Sequence, residues 1–223
     1  MAIKSKNTVT TILSYLTNDE VDALLHAPDR NTATGRRDYV IILVFVTTGL
    51  RVSELTALRR QDLQLDPPAH LLCHGKGRKD RITPLNKETT RALRDWLPTG
   101  GDCQPEDLVF TAQGSTRALG RDAIATRLRV YCATAEKACL SMVGKNITPH
   151  ILRHATAMKM LAAGIDITTI ALWLGHESTQ ATQAYLHADL AMRERAKARI
   201  APIGSSGPRF VPDGQLLAFL ESL

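Results

Sequence analysis

The stretch ITPHILRHATAMKML, residues 147–161, decides how the rest of the chain is read. Thr148 is a helix N-cap residue type, and Pro149 suits the first helical position, where its missing N–H goes unused. Gly164 falls just past the apolar run and marks its end. Together they predict a helix over 148–163. Residues three and four apart on a helix share a face, so His150 and Arg153 project together, as do His150 and His154. The second pair has metal-ligand spacing. The zinc-protease pattern, however, requires Glu directly after the first His, and Ile151 stands there. No nearby Asp, Glu or Cys offers a third ligand. A metal site, a phosphate site and an ordinary polar helix start all remain open from this stretch alone.

The neighbouring segments narrow the choice. Downstream, in LGHESTQATQAYLHAD (174–189), Gly175 closes one helix, His176 follows, Ser178 opens the next helix, to about Ile200, and Tyr185 lies about two turns along it. Asp166 is the expected cap of the helix ending at Gly175. Upstream, TTGLRVSEL (47–55) places Gly49 at the end of an apolar helix expected over 36–47, with Arg51 starting a short helix over 53–58. An arginine at such a junction can turn its planar fork back toward two phosphate oxygens. Between them, HLLCH (70–74) and RITPL (81–85) read as short strands around GKGRKD (75–80), a glycine-rich hairpin turn from which Lys76 can reach an anion.

Thr17-Asn18-Asp19-Glu20 is a capping box before Val21, Leu24 and Leu25. Further helices are expected over 86–97, ended by Pro98, and over 120–140. The fold class is therefore α+β, mainly helical, with one small antiparallel sheet. Residues 1–16 form a polar lead, 17–200 the main domain, and 201–223 a flexible APIGSSGP linker with a small amphipathic helix.

Bulk properties agree. Across 223 residues, 44% are hydrophobic, which suits a globular chain, and the net charge of +6 hints at a polyanionic partner. The longest apolar run, YVIILVFV (39–46), is too short to cross a bilayer. Cysteines 73, 103, 132 and 139 lack CxxC pairing and read as reduced thiols of a cytoplasmic protein. Aromatics at 4% give little support for a single-strand stacking platform.

TTGLRVSEL, GKGRKDRITPL, ITPHILRHATAMKML and WLGHESTQATQAYLH resemble, in order, the catalytic boxes of the tyrosine recombinase (phage integrase) family, over about residues 17–195. The resemblance implies a tyrosine recombinase catalytic-domain fold and a site-specific DNA recombinase that cleaves and rejoins double-stranded DNA through a 3′-phosphotyrosyl intermediate. It implies Tyr185 as nucleophile, Arg51 and Arg153 as the phosphate clamp, and Lys76 as general acid. It further implies His150 as general base and His176 as a hydrogen-bond donor to the phosphate. No metal, cofactor or ATP is implied, because a cationic cluster stabilises the charge and the covalent link conserves the bond energy. The chemistry fits: a phenol with a pKa near ~10 needs a base or nearby cations to attack.

Arg78, Lys79 and Arg81 are expected to be DNA-backbone contacts or solvated charges. Glu54 is expected to be a structural partner for a nearby cation, and His154 a supporting residue. Members of the family usually carry a separate helical core-binding domain upstream. Only some 16 residues precede the first helix here, so no such domain is expected, and DNA grip is expected to rely on other protomers, as a tetramer on paired sites, or on an accessory DNA-binding protein. The 201–223 segment is a candidate for docking on a neighbouring protomer. A type IB topoisomerase and a DNA-binding protein without catalysis are the competing readings. Arg51→Ala or Arg153→Ala is expected to cost orders of magnitude in cleavage with little loss of folding.

Overall fold

Helix α2, Ala33–Thr48, is the element around which the others pack. Every residue from Val40 to Val46 is buried, which a helix achieves only when covered on all sides. The structure, a computed structural model, describes residues 16–75, 80–98 and 103–175. Helix α1 (Asn18–His26), α4 (Lys87–Trp96) and α6 (Pro149–Ala162) pack against α2, and α5 (Arg121–Ala135) packs against α1. Helix α3 (Val52–Ala57) and α7 (Ile167–Leu174) complete the described helices. One antiparallel sheet, in the order β1 (Leu63–Gln64), β2 (His70–Cys73), β3 (Arg81–Pro84), pairs Leu63 with Leu71 and Cys73 with Arg81.

Local sequence explains most boundaries. The capping box of α1 is formed: Glu20 N–H donates to Thr17 Oγ1, and Thr17 N–H donates to Glu20 Oε2 at 3.0 Å. Thr148 Oγ1 accepts from Ile151 N–H with Pro149 in the first turn, and Asp166 accepts from Thr169 N–H at the start of α7. Asn86 caps α4 in the same way. Gly49 and Gly175 close α2 and α7 in the left-handed conformation, at φ 67° and 64°.

Two differences from the expected elements have physical causes. Strand β1 has only two residues, too few for a period-two pattern to be seen in sequence. The helix expected over 120–140 stops at Ala135. Beyond it, Lys137 and Ala138 bond three residues back instead of four, and a 3₁₀ turn at Leu140–Met142 carries Met142 into the core, fully buried. The helix expected after Ser178 and the linker and helix of 201–223 lie outside the described residues, as does most of the 1–16 lead.

The Glu20 of the capping box does more than cap. It is 1% exposed and receives Lys145 Nζ on both oxygens at 2.7 Å, with Ser141 Oγ on Oε1 at 2.5 Å. Burial pushes its carboxyl pKa up, but the hydrogen bonds from Lys145 and Ser141 outweigh burial and leave it below the ordinary carboxylate value. A depressed folded pKa stabilises the fold above the unfolded pKa, and that stability is lost as pH falls through the folded value. Urea unfolding followed from neutral pH down to about pH 3 should therefore show stability falling below the ordinary carboxylate range. Glu20→Gln should flatten that fall; an unchanged profile would exclude Glu20 as a source.

Gly49 is fixed twice over. Its positive φ disfavours any side chain, and a Cβ there would meet Leu174 Cδ2 at 2.5 Å. Gly49→Ala should lower unfolding free energy by about 2 kcal/mol, combining left-handed strain with overpacking. A denaturation midpoint equal to wild type would show that α7 yields without cost.

Candidate active site

Three arginines from distant segments meet the last carbonyls of α7. Arg81 Nε donates to Trp173 O at 2.9 Å, Arg153 Nη2 to Leu174 O at 2.5 Å, and Arg51 Nη2 to Gly175 O at 2.6 Å. The end of a helix presents unpaired carbonyls and a partial negative charge, so cations collect there. Arg153 also donates through Nη1 to Gly49 O at 2.6 Å, and Trp173 Nε1 donates to Thr48 O at 3.1 Å. The C-terminal ends of α2 and α7 are thereby joined. Gly175 is as constrained as Gly49, since a Cβ there would lie 2.9 Å from Arg81 Nη1.

Glu54 is the counter-ion. Arg81 grips it with both terminal nitrogens at 2.8 Å each, and Arg51 Nη1 reaches Oε1 at 3.0 Å. Arg51 N–H also donates to Oε2 at 2.8 Å, which makes Glu54 part of the α3 cap. Burial raises the Glu54 pKa, yet the Arg81 and Arg51 hydrogen bonds win and hold it low. Burial lowers that of Arg81, and Glu54 more than restores it. Glu54 is thus the structural partner of a cation that its sequence position suggested.

Arg51 and Arg153, expected as a pair, are brought to adjacent carbonyls. Their burial differs: Arg153 is 4% exposed, whereas the Arg51 side chain is 38% exposed. The expectation that Arg153→Ala would spare folding is therefore corrected. Removing a buried guanidinium strands Gly49 O and Leu174 O without their donor, a penalty of about 1–3 kcal/mol per group.

Arg81 departs from the reading as a solvated charge. Its side chain is 11% exposed, with Nε on Trp173 O and both terminal nitrogens on Glu54. Nothing local in the sequence links Glu54 to Arg81, 27 residues away, so the pairing had no pattern to reveal it.

His150 stands in the first turn of α6, exposed. Its Nε2 lies 2.7 Å from His154 Nε2, the rings edge to face with centroids 4.2 Å apart. The Arg153 guanidinium, from the next turn of the same helix, reaches Gly49 O and Leu174 O. Burial, then the charges of His150 and Arg153, push the His154 pKa down to about 4. Lys76, Arg78 and Lys79, between β2 and β3 in the sequence, and His176 and Tyr185, after Gly175, lie outside the described residues. Just after β2, His74 bridges Asp62 at 3.0 Å and Asp80 at 3.1 Å, a contact unforeseen from sequence. The Asp62 hydrogen bond raises its pKa above the ordinary value, with Asp80 adding to it.

A surface groove of about 470 Å³ between α2 and α4, lined by Arg30, Tyr39, Glu88 and Trp96 among others, shares no residue with the arginine cluster. Among the described residues no group of three or more His, Cys, Asp or Glu is placed to hold a metal. No described helix is long and apolar enough to cross a membrane.

Comparison with known proteins agrees with this architecture. Residues 14–192 match the model of the phage integrase family. The protein y4rC of Sinorhizobium fredii, named as an integrase/recombinase, is 48% identical across 100% of this chain and 67% of its own length. The tyrosine recombinase XerC of Chlamydia trachomatis serovar L2 is 35% identical over 82% of this chain and 56% of its own. The chain therefore spans roughly half to two thirds of the length of these relatives. The crystal structure of XerA recombinase superposes with a TM-score of 0.66 at 31% identity, covering 83% of this chain and 65% of that one. The XerH site-specific recombinase bound to a palindromic difH substrate shares the fold, with a TM-score of 0.68 at 22% identity over 87% of this chain and 55% of its own. With four ordered sequence boxes, three of whose described parts pack around one helix end, the chain is a member of the phage integrase family and carries a tyrosine recombinase catalytic domain.

Proposed function

We propose that this chain is a site-specific recombinase that cleaves and rejoins double-stranded DNA through a covalent 3′-phosphotyrosyl intermediate, without metal or ATP. The observation that carries the reading is the convergence of Arg51 and Arg153 on the adjacent carbonyls of Gly175 and Leu174, directly before His176 in the chain. Attack on a phosphodiester builds negative charge on the non-bridging oxygens. Guanidinium groups already held by backbone carbonyls stabilise that charge without reorganising. The Arg51 guanidinium has five N–H donors and is anchored through two nitrogens, to Glu54 and Gly175 O, which leaves N–H groups to offer a phosphate.

In the proposed reaction Tyr185 Oη loses its proton to His150, and the electron pair forms the bond to phosphorus. The bond from phosphorus to the 5′ oxygen breaks, and that oxygen takes a proton from the Lys76 ammonium. His176 donates a hydrogen bond to the phosphate. Rejoining is the reverse, with a 5′-hydroxyl as nucleophile. Arg78 and Lys79 are proposed as DNA-backbone contacts. The working form is a tetramer on paired sites in the cytoplasm, with residues 201–223 docking on a neighbouring protomer and an accessory DNA-binding protein as a further source of grip.

The test begins with sheared genomic DNA from the source organism, incubated with the full chain in EDTA and trapped with SDS. Covalent adducts are expected on a recurring sequence, which then serves as a nicked suicide duplex. Tyr185→Phe should abolish the adduct, and persistence of the adduct would remove Tyr185 as nucleophile. A requirement for two sites separates recombination from single-site relaxation of a topoisomerase, and no adduct on any fragment would favour a binding protein without catalysis.

Arg51→Ala should slow cleavage of that duplex by roughly a hundredfold or more, the scale of losing one transition-state donor. For Arg153 the informative change is Arg153→Lys, which keeps the charge and loses the fork. It should also slow cleavage, while Arg153→Ala should additionally lower stability by about 2 kcal/mol or more. Wild-type cleavage rates in Arg51→Ala would overturn the clamp.

A further inference from the structure

The contact between His150 and His154 has a direction that their surroundings determine. Two neutral imidazoles with Nε2 atoms 2.7 Å apart share one proton, and either ring can in principle donate it. The two rings are not equivalent. His150 is exposed in the first turn of α6, whereas His154 is half-buried one turn further on, beside the buried Arg153. A charged imidazolium at 154 would lose solvent and face both a guanidinium and its neighbouring histidine, so His154 is held neutral. Once His150 carries both ring protons it can only donate at the short contact, and His154 Nε2 must be the acceptor.

We propose that His154 is a positioning residue: a neutral imidazole that accepts the Nε2–H of His150 and so leaves His150 Nδ1 as its basic nitrogen. This rests on the proposed role of His150 as the base for Tyr185 and adds what that role requires. The proton leaving Tyr185 Oη forms the new N–H at His150 Nδ1. The resulting imidazolium keeps its Nε2–H directed at His154, with no further proton moved. A hydrogen bond from the second ring nitrogen fixes the tautomer and raises the basicity of the first. In hydrolytic triads a carboxylate does this; here an uncharged acceptor serves, which adds no second anion to the Glu54 already held by Arg51 and Arg81.

Two measurements test the proposal on the full chain. Long-range ¹H–¹⁵N NMR of histidine-labelled protein reads ring tautomers directly and needs no DNA. The expected result is Nε2–H on His150 with Nδ1 unprotonated, and an unprotonated Nε2 on His154. A neutral His150 protonated at Nδ1, with His154 donating, would overturn the proposal. The second arm uses the nicked duplex recovered by adduct capture. His154→Leu removes the acceptor and should slow covalent cleavage by roughly tenfold or more at unchanged duplex binding, within the range spanned by base catalysis. His154→Gln places an amide oxygen near the lost Nε2 and should recover most of that rate. A Leu variant as fast as wild type, or a Gln variant no faster than Leu, refutes the role. If wild type forms no adduct while the tautomers are as stated, it is the recombinase reading that fails and not the hydrogen-bond direction.

Discussion

The guanidinium of Arg153 donates to Gly49 O past the end of α2 and to Leu174 O at the end of α7, so one buried charge ties two helix C-termini together. Burying a cation is unfavourable unless dipoles and hydrogen bonds replace its water. The two helix ends supply them, as carbonyls that would otherwise be orphaned. The charge and the helix ends therefore depend on one another. The glycines at 49 and 175 follow from the same geometry: each must turn left-handed to stop its helix, and each lies where a Cβ would collide with a side chain of the cluster.

Arg51 and Arg81 extend the arrangement to the outer side of the same helix end, with Glu54 between them. Three guanidiniums against one carboxylate leave an excess of positive charge among the described residues. Because the arginines are held by backbone carbonyls rather than by water, the field is fixed in place before any anion arrives. Their exposures differ: Arg153 and Arg81 are largely enclosed, while Arg51 retains more contact with solvent.

A repeated economy links the caps to the tertiary structure. Glu20 accepts Thr17 N–H and also Lys145; Glu54 accepts Arg51 N–H and also Arg81; Asp62 accepts Arg59 N–H and also faces His74. Each carboxylate closes a local helix start and holds a side chain more distant in sequence with the same group. Each is also nearly inaccessible to water, which strengthens both interactions. Local helix signals of this kind are visible in sequence as a carboxylate three residues after the cap. The remote partner is not.

That division runs through the whole molecule. Helix starts at Thr17, Asn86, Thr148 and Asp166 and the stops at Gly49 and Gly175 were legible, because capping acts over three or four residues and leaves a local pattern. The hairpin strands at 70–73 and 81–84 were legible from alternation around a glycine turn. The family was legible because four ordered boxes keep their spacing. Strand β1 and the early end of α5 were not, since two residues carry no period and the turn toward Met142 answers to the core. Within the site, sequence alone determined which residue types are present and paired Arg51 with Arg153, which the structure brings to adjacent carbonyls. Only the tertiary structure decided that Arg153 is buried between two helix ends, that Arg81 is taken by Glu54, and that His150 turns to His154. The reason is that burial and long-range hydrogen bonds depend on which helix end lies nearby, and that is a property of packing.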